Sequence, residues 1–155
     1  MAFGALSVKG RALRYLAQRE HSRAELERKL RRHVQDQPEA SAQAQIAVAL
    51  DELESKGLLS EARAAASVLN SQGARYGVRR LKQTMQTKGL APVLVASTLQ
   101  QARGTELERA REIWRRRFGE PAADAAGRAK QMRFLAGRGF EGDVIRRVVQ
   151  AREDE

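Results

Sequence analysis

Cysteine is absent from the 155-residue chain, which excludes a disulfide framework and any thiolate metal site. Aromatic residues number only seven, and their scarcity argues against a base-stacking surface. No apolar run approaches the roughly 20 residues that span a bilayer, and the first residues lack the apolar core of a signal peptide. A soluble cytoplasmic monomer with no membrane contact is therefore expected. No segment alternates with a period of two over strand length, so no phosphate loop can follow a strand. The two histidines, His21 and His33, have no evident metal partner and read as surface residues. Carboxylate groups such as Asp51, Glu52 and Glu54 sit on helices rich in Arg and Lys, where i, i+4 pairing accounts for them. With no acid, base or nucleophile in a defined place, the chain reads as a binding protein with no catalytic residue, no metal and no cofactor.

Acid is also missing locally. From Ala62 to Thr105 there is no Asp or Glu, while Arg63, Arg75, Arg79, Arg80, Lys82, Lys88 and Arg103 fall in the same window. The formal net charge is +10. It divides as +2 over residues 1–57, +6 over 58–104 and +2 over 105–155, so the excess is central. A surface kept purely cationic suits a polyanion or an acidic protein face. Arg dominates over Lys, and Arg suits bidentate contact with phosphate or carboxylate.

The apolar period is helical throughout. Leu13, Leu16 and Ala17 mark a first helix. Ser22-Arg23-Ala24-Glu25 is a capping box opening a second, with Leu26, Leu30 and Val34 on one face. Ile46, Leu50 and Leu53 mark a third, stopped at Lys56-Gly57. Ser60 caps a fourth, with Ala62, Ala65, Ala66 and Leu69 expected inward. Val78, Leu81 and Met85 give a fifth that stops at Lys88-Gly89. Pro92 opens a sixth, facing with Leu94, Val95 and Leu99. Gly104 and a second capping box, Thr105 to Glu108, are expected to open a seventh with Leu107, Ala110, Trp114 and Phe118. An eighth carries Ala125, Ala129, Met132 and Leu135, and a ninth Val144, Ile145, Val148 and Val149. The acidic end, Glu153-Asp154-Glu155, is expected to fray.

The stops share a form: Lys56-Gly57-Leu58, Lys88-Gly89-Leu90 and Arg138-Gly139-Phe140 each read cation, glycine, large apolar residue. Grouping three helices per unit gives an all-α architecture of three tandem three-helix, helix-turn-helix-like units in an elongated, modular arrangement. The units run 9–57, 58–104 and 105–152. Three helices are a sensible minimum, because a short helix cannot bury its stripe alone. A trihelical unit can also read DNA, and helix five offers Arg79, Arg80, Lys82, Gln83 and Gln86 for that. A stand-alone helix-turn-helix-type DNA-binding protein is thus an alternative.

In combination, these motifs resemble the RecX family, regulators of the RecA recombinase. Arg19-Glu20-His21-Ser22 through Lys29-Leu30 is similar to the family's first-unit motif. Gly57-Leu58-Leu59-Ser60-Glu61-Ala62-Arg63 resembles the opening of its second unit. Tyr76-Gly77, Leu81 and Lys88-Gly89-Leu90 resemble the second-unit core. Phe118-Gly119-Glu120, Lys130, Arg133-Phe134-Leu135 and Arg138-Gly139-Phe140 resemble the third. Ala64-Ala65-Ala66 departs from the aromatic-then-alanine pattern of the family, and Arg75 only roughly matches its arginine before the turn.

The resemblance implies a negative regulator that binds along RecA–single-stranded DNA filaments and inhibits ATP hydrolysis, strand exchange and coprotease activity. That would place it in homologous recombination, DNA repair and the SOS response. It implies direct affinity for single-stranded DNA, with double-stranded DNA a weaker ligand. The acid-free window and the later basic clusters put the contacts on Arg75, Arg79, Arg80, Lys82 and Lys88, helped by Arg115, Arg116, Arg117, Arg128, Lys130 and Arg133.

Overall fold

The computed structural model describes residues 6–150; the acidic end at Glu153–Glu155 lies outside them. Among the described residues there are eight α-helices and no strand: α1 (Val8–Gln18), α2 (Arg23–Arg31), α3 (Ala42–Ser55), α4 (Glu61–Gln72), α5 (Val78–Thr87), α6 (Pro92–Arg117), α7 (Ala125–Gly137) and α8 (Gly142–Gln150). None is long and apolar enough to cross a membrane. The chain divides into two compact units. An N-terminal unit runs to Ala65 and includes Lys88–Leu90; a C-terminal unit holds Ala66–Thr87 and the chain from Ala91 onward.

In the N-terminal unit, α1, α2 and α3 pack on one another around Ala12, Leu26, Leu30, Ile46, Leu50, Leu53 and Leu59. The expected capping box is present in full. Ser22 accepts from the Glu25 amide at 3.1 Å while Glu25 accepts from the Ser22 amide at 3.1 Å. Ser22 Oγ also donates to the Lys88 carbonyl. Ser60 caps α4 by accepting from the Arg63 amide. The buried face of α4 is Ala64, Ala65 and Val68, whereas Ala62 and Ala66 are exposed. The face is therefore turned from the expected one, because an alanine run carries little periodic signal of its own.

His21 is not a surface residue: it is fully buried. Its Nδ1 lies 3.0 Å from the Arg19 carbonyl and its Nε2 lies 2.8 Å from Lys29 Nζ. The neutral ring satisfies both by donating from Nδ1 and accepting at Nε2. Burial, with Arg19 and Lys29 close by, lowers its pKa below 6.5, although the Arg19 carbonyl and Glu25 pull the other way. The Glu25 carboxylate meets Arg19 at 2.7 Å and Lys88 at 3.3 Å. Burial alone would raise its pKa; the Arg19 hydrogen bond, the Ser22 amide and the Lys88 charge outweigh that and lower it to about 2.

Both depressed values give stability that is full above the unfolded pKa and lost as pH falls. Protection of the α2 amides, their exchange rate taken relative to that of the unfolded chain at the same pH, is expected to fall in two steps, one below pH 6.5 as the unfolded His21 takes a proton, and one between 4.5 and 2 for Glu25. The second step is worth about 2 kcal/mol once the half-exposed Arg19 side of the pair is discounted. His21→Gln should remove the first step and keep the second; an unchanged first step would take His21 out of the account.

In the C-terminal unit, α5 and α8 pack on α6, and α7 packs on α8. One core is formed by Ala110, Trp114, Leu135, Phe140, Val144, Ile145, Val148 and Val149. Val78, Leu81, Met85, Val95, Leu99 and Ala102 are buried on α5 and the beginning of α6. The expected break at Gly104 does not occur, which is why eight helices are found rather than nine. Instead of capping, Thr105 Oγ1 bonds the Ala102 carbonyl one turn back, and Glu106 is buried at 2 % exposure. Glycine inside a helix costs about 1 kcal/mol relative to alanine; burial of Leu99 and Ala102 on one side and Ala110 and Trp114 on the other outweighs that. Ala125, expected inward on α7, is exposed.

Candidate functional site

The glycine stops build the site's scaffold. Gly57, Gly89 and Gly139 take positive φ (73°, 72° and 90°) after Lys56, Lys88 and Arg138. In the C-terminal unit the last of these turns is fastened to the start of α5. The Gly77 amide donates to the Arg138 carbonyl at 2.8 Å and the Arg79 amide to the Gly139 carbonyl at 2.9 Å. Gly77 permits this approach, since a Cβ there would lie 2.5 Å from Phe140 backbone atoms.

One turn of α6 supplies complementary charges. Glu106 Oε1 accepts from the Val78 amide and the Glu141 amide, each at 3.3 Å, at the starts of α5 and α8. A carboxylate suits the positive ends of two helices. Burial raises its pKa, more than the two amides and Arg109 lower it. Three residues on, Arg109 donates to the carbonyls of Gly73 at 2.6 Å, Tyr76 at 2.7 Å and Ala102 at 2.9 Å. This holds the turn that carries Arg75 and Tyr76. Further along, Trp114 Nε1 donates to Gln131 at 2.9 Å, and Gln131 donates to the Glu120 carbonyl, fixing α7 beside the end of α6.

Upon that frame lies a strip of alternating arginine and aromatic side chains. The guanidinium carbons of Arg75, Arg80 and Arg138 stand 5.5, 4.6 and 5.8 Å from the Tyr76 ring centre. Arg138 is also 5.3 Å from Phe134, and Arg117 is 5.5 Å from Phe134 and 5.7 Å from Phe118. Phe118 and Phe134 meet edge to face at 5.4 Å. The arginine–ring separations are all cation–π distances. Three of the chain's few aromatics, Tyr76, Phe118 and Phe134, thus lie half-buried against its arginines. Among the described residues, none of these four arginines has a carboxylate within 4.0 Å.

The remaining candidate residues lie in differing settings. Arg79 and Lys82 are exposed on α5, and Lys130 and Arg133 on α7, while Arg128 is half-buried. Arg115 and Arg116 are exposed but share Glu112, at 3.2 and 3.0 Å. Lys88 belongs to the N-terminal unit and is bound to Glu25. Arg138, Tyr76, Phe118 and Phe134 were missed as site residues. A local signal existed: Tyr76 and Arg80, and Phe134 and Arg138, are i, i+4 pairs, and Arg117 precedes Phe118.

Two family models match the chain: RecX, first three-helix domain, over residues 9–41, and RecX, third three-helix domain, over residues 105–149. The regulatory protein RecX of Leptothrix cholodnii is 51% identical over 150 residues, covering 97% of this chain and 92% of the relative. That of Ralstonia nicotianae is 45% identical over 145 residues, covering 94% and 87%. A crystal structure of RecX from Lactobacillus salivarius superposes with a TM-score of 0.77 at 19% identity, covering 96% of both chains; it shares the fold.

Proposed function

We propose, since this chain belongs to the RecX family, that it is a negative regulator of the RecA recombinase, acting by binding along the RecA–single-stranded DNA filament rather than by catalysis. In this reading it works as three three-helix units, 9–57, 58–104 and 105–152, in the cytoplasm. Bridging neighbouring protomers would oppose the conformational cycle that drives ATP hydrolysis, strand exchange and coprotease activity. Several modest contacts along a filament would gain avidity from their linkage.

The observation that best supports a polyanionic or acidic partner is the unneutralised basic surface of the C-terminal unit. Arg75, Arg79, Arg80, Lys82 and Arg117 have no carboxylate within 4.0 Å among the described residues, and the first four lie in the stretch free of acid. Arg115, Arg116, Arg128, Lys130 and Arg133 are proposed to help these contacts, and Lys88, in the N-terminal unit and paired with Glu25, is proposed as a further contact.

The direct test adds the protein, well below one copy per protomer, to preformed RecA filaments on single-stranded DNA. ATP hydrolysis is expected to fall steeply at concentrations where bare DNA is hardly bound. Reversing Arg79, Arg80 and Lys82 together to Glu is expected to abolish this inhibition with helicity intact. Retained inhibition by the triple variant would remove this face from the mechanism.

One observation favours a second reading. Arg79, Lys82, Gln83 and Gln86 are all exposed on α5, as a major-groove helix would need. Unaffected hydrolysis, together with tight, steeply salt-dependent binding to bare duplex, would favour that reading.

A further inference from the structure

From the pairing of an amine with an imidazole where α1 and α2 meet, we infer that Lys29 is an acylation site, modified by acyl phosphates with His21 as the base. The site lies wholly in the N-terminal unit, apart from the basic surface described above.

Other paired lysines of the chain hold carboxylates: Lys9 and Lys56 meet Glu52, and Lys88 meets Glu25. Lys29 meets a ring nitrogen instead. Its Nζ lies 2.8 Å from His21 Nε2 and 4.9 Å from the centre of the Tyr15 ring. Pairing with a neutral ring balances no charge, so charge balance does not account for it. The Arg19 carbonyl, 3.0 Å from Nδ1, keeps the ring proton on that side and leaves the Nε2 lone pair aimed at the amine. Nucleophile, base and orienting group thus stand in series, as activation of a weak nucleophile requires. His21 is fully buried and Lys29 half-buried, so the base is shielded while the amine can be reached.

Burial, with Arg19, Lys88 and Arg32 nearby, lowers the pKa of Lys29 below 10.5, although Glu25 opposes this. More of its amine is therefore in the neutral, nucleophilic form near pH 7 than on an ordinary lysine. The same three cations select the donor. One carboxylate stands against them, Glu25, and it is already shared between Arg19 and Lys88. Such surroundings draw in a donor that carries its own negative charge. An acyl phosphate does, and its phosphate is a good leaving group. In the step, the amine lone pair forms a bond to the acyl carbon while an N–H proton passes to Nε2. The bond from the acyl carbon to the bridging oxygen breaks, and phosphate leaves with that electron pair. His21 then returns the proton to the phosphate. The products are an N-acyl lysine and inorganic phosphate, with the neutral ring restored. Acylation removes the cation above Tyr15 and so gives the contact between α1 and α2 a chemical input.

The test incubates the full chain with acetyl phosphate near neutral pH and follows each of its six lysines by mass spectrometry. Lys29 is expected to be acetylated at least about tenfold faster than the exposed Lys82 and Lys130, a fraction of the roughly hundredfold that a positioned base can supply. In urea, where the pairing is lost, the preference should vanish. His21→Gln should bring Lys29 down to the rate of Lys82 and leave Lys82 unchanged. An uncharged acetyl thioester should show a smaller preference for Lys29 than acetyl phosphate does.

Equal rates at Lys29, Lys82 and Lys130 in the folded protein would overturn the site. A preference that survives in urea would overturn it too, since it would belong to the neighbouring sequence and not to the fold. Full preference in a folded His21→Gln variant would remove the base, and equal preference with the thioester would remove the anionic donor. Circular dichroism shows whether the variant folds; if it does not, the parent chain compared in buffer and in urea decides the matter.

Discussion

Replacing Glu106 with Leu is expected to destabilise the C-terminal unit by about 2–4 kcal/mol, since a buried amide left without a partner costs about 1–3 kcal/mol and the Val78 amide is buried while that of Glu141 is part-buried. The Val78 and Glu141 amides both rely on Oε1 of this side chain, and each sits at a helix start where no intrahelical carbonyl is available. Glu106→Gln keeps a carbonyl oxygen at that point and gives up the buried charge, so it should fall within about 1 kcal/mol of the parent. The pH dependence separates the two roles. A carboxyl whose folded pKa is raised stabilises below its unfolded value of 4.5 and loses that contribution as pH rises through the raised value. The parent should therefore lose stability upward from pH 4.5 in this component, and the Gln variant should not. Trp114, the sole tryptophan and a core residue of this unit, reports the unfolding in urea. Full stability in Glu106→Leu would show that other groups serve these helix starts.

Gly77→Ala is expected to be comparably damaging, on the order of 3 kcal/mol or more, although it adds one methyl group. The new Cβ would stand 2.5 Å from the Gly139 carbonyl oxygen and from the Phe140 amide nitrogen and Cα. Backbone cannot step aside as a flexible side chain can. Relief requires parting α5 from the turn after α7, which breaks the bonds from the Gly77 and Arg79 amides. Those bonds also help set Arg80 and Arg138 around Tyr76. Gly104→Ala offers a contrast: nothing lies within 4 Å of its added Cβ, and it should stabilise by up to about 1 kcal/mol. Urea unfolding of the pair checks both; a neutral Gly77→Ala would show that the turn can yield.

Features written in a few neighbouring residues were legible in the sequence. The Ser22 capping box, the Ser60 cap and the cation-glycine stops each depend on a backbone geometry that one or two residue types favour. The all-helical class followed from apolar spacing. What escaped depends on distant partners. Thr105 to Glu108 spells a capping box as clearly as Ser22 to Glu25, yet packing on both sides of Gly104 keeps the helix running and draws Glu106 inward. His21 read as surface because Lys29 and the Arg19 carbonyl enclose it only once α1 and α2 meet. The arginine–aromatic strip was hidden because Tyr76 and Phe134 lie far apart in the chain and are joined by Arg138, which looked like a helix stop.

The unbroken course of α6 has a consequence in phase. Each residue of a helix turns the next by about 100°. Leu99 and Ala102, which sit in the part of the core shared with α5, and Ala110 and Trp114, which face the α8 side, are thus locked at a fixed azimuth on a single shaft. A loop at Gly104 would let either set swivel; a helix there does not. The segment that begins at residue 105 inherits its orientation from Pro92 onward, like the bit of a key from its stem.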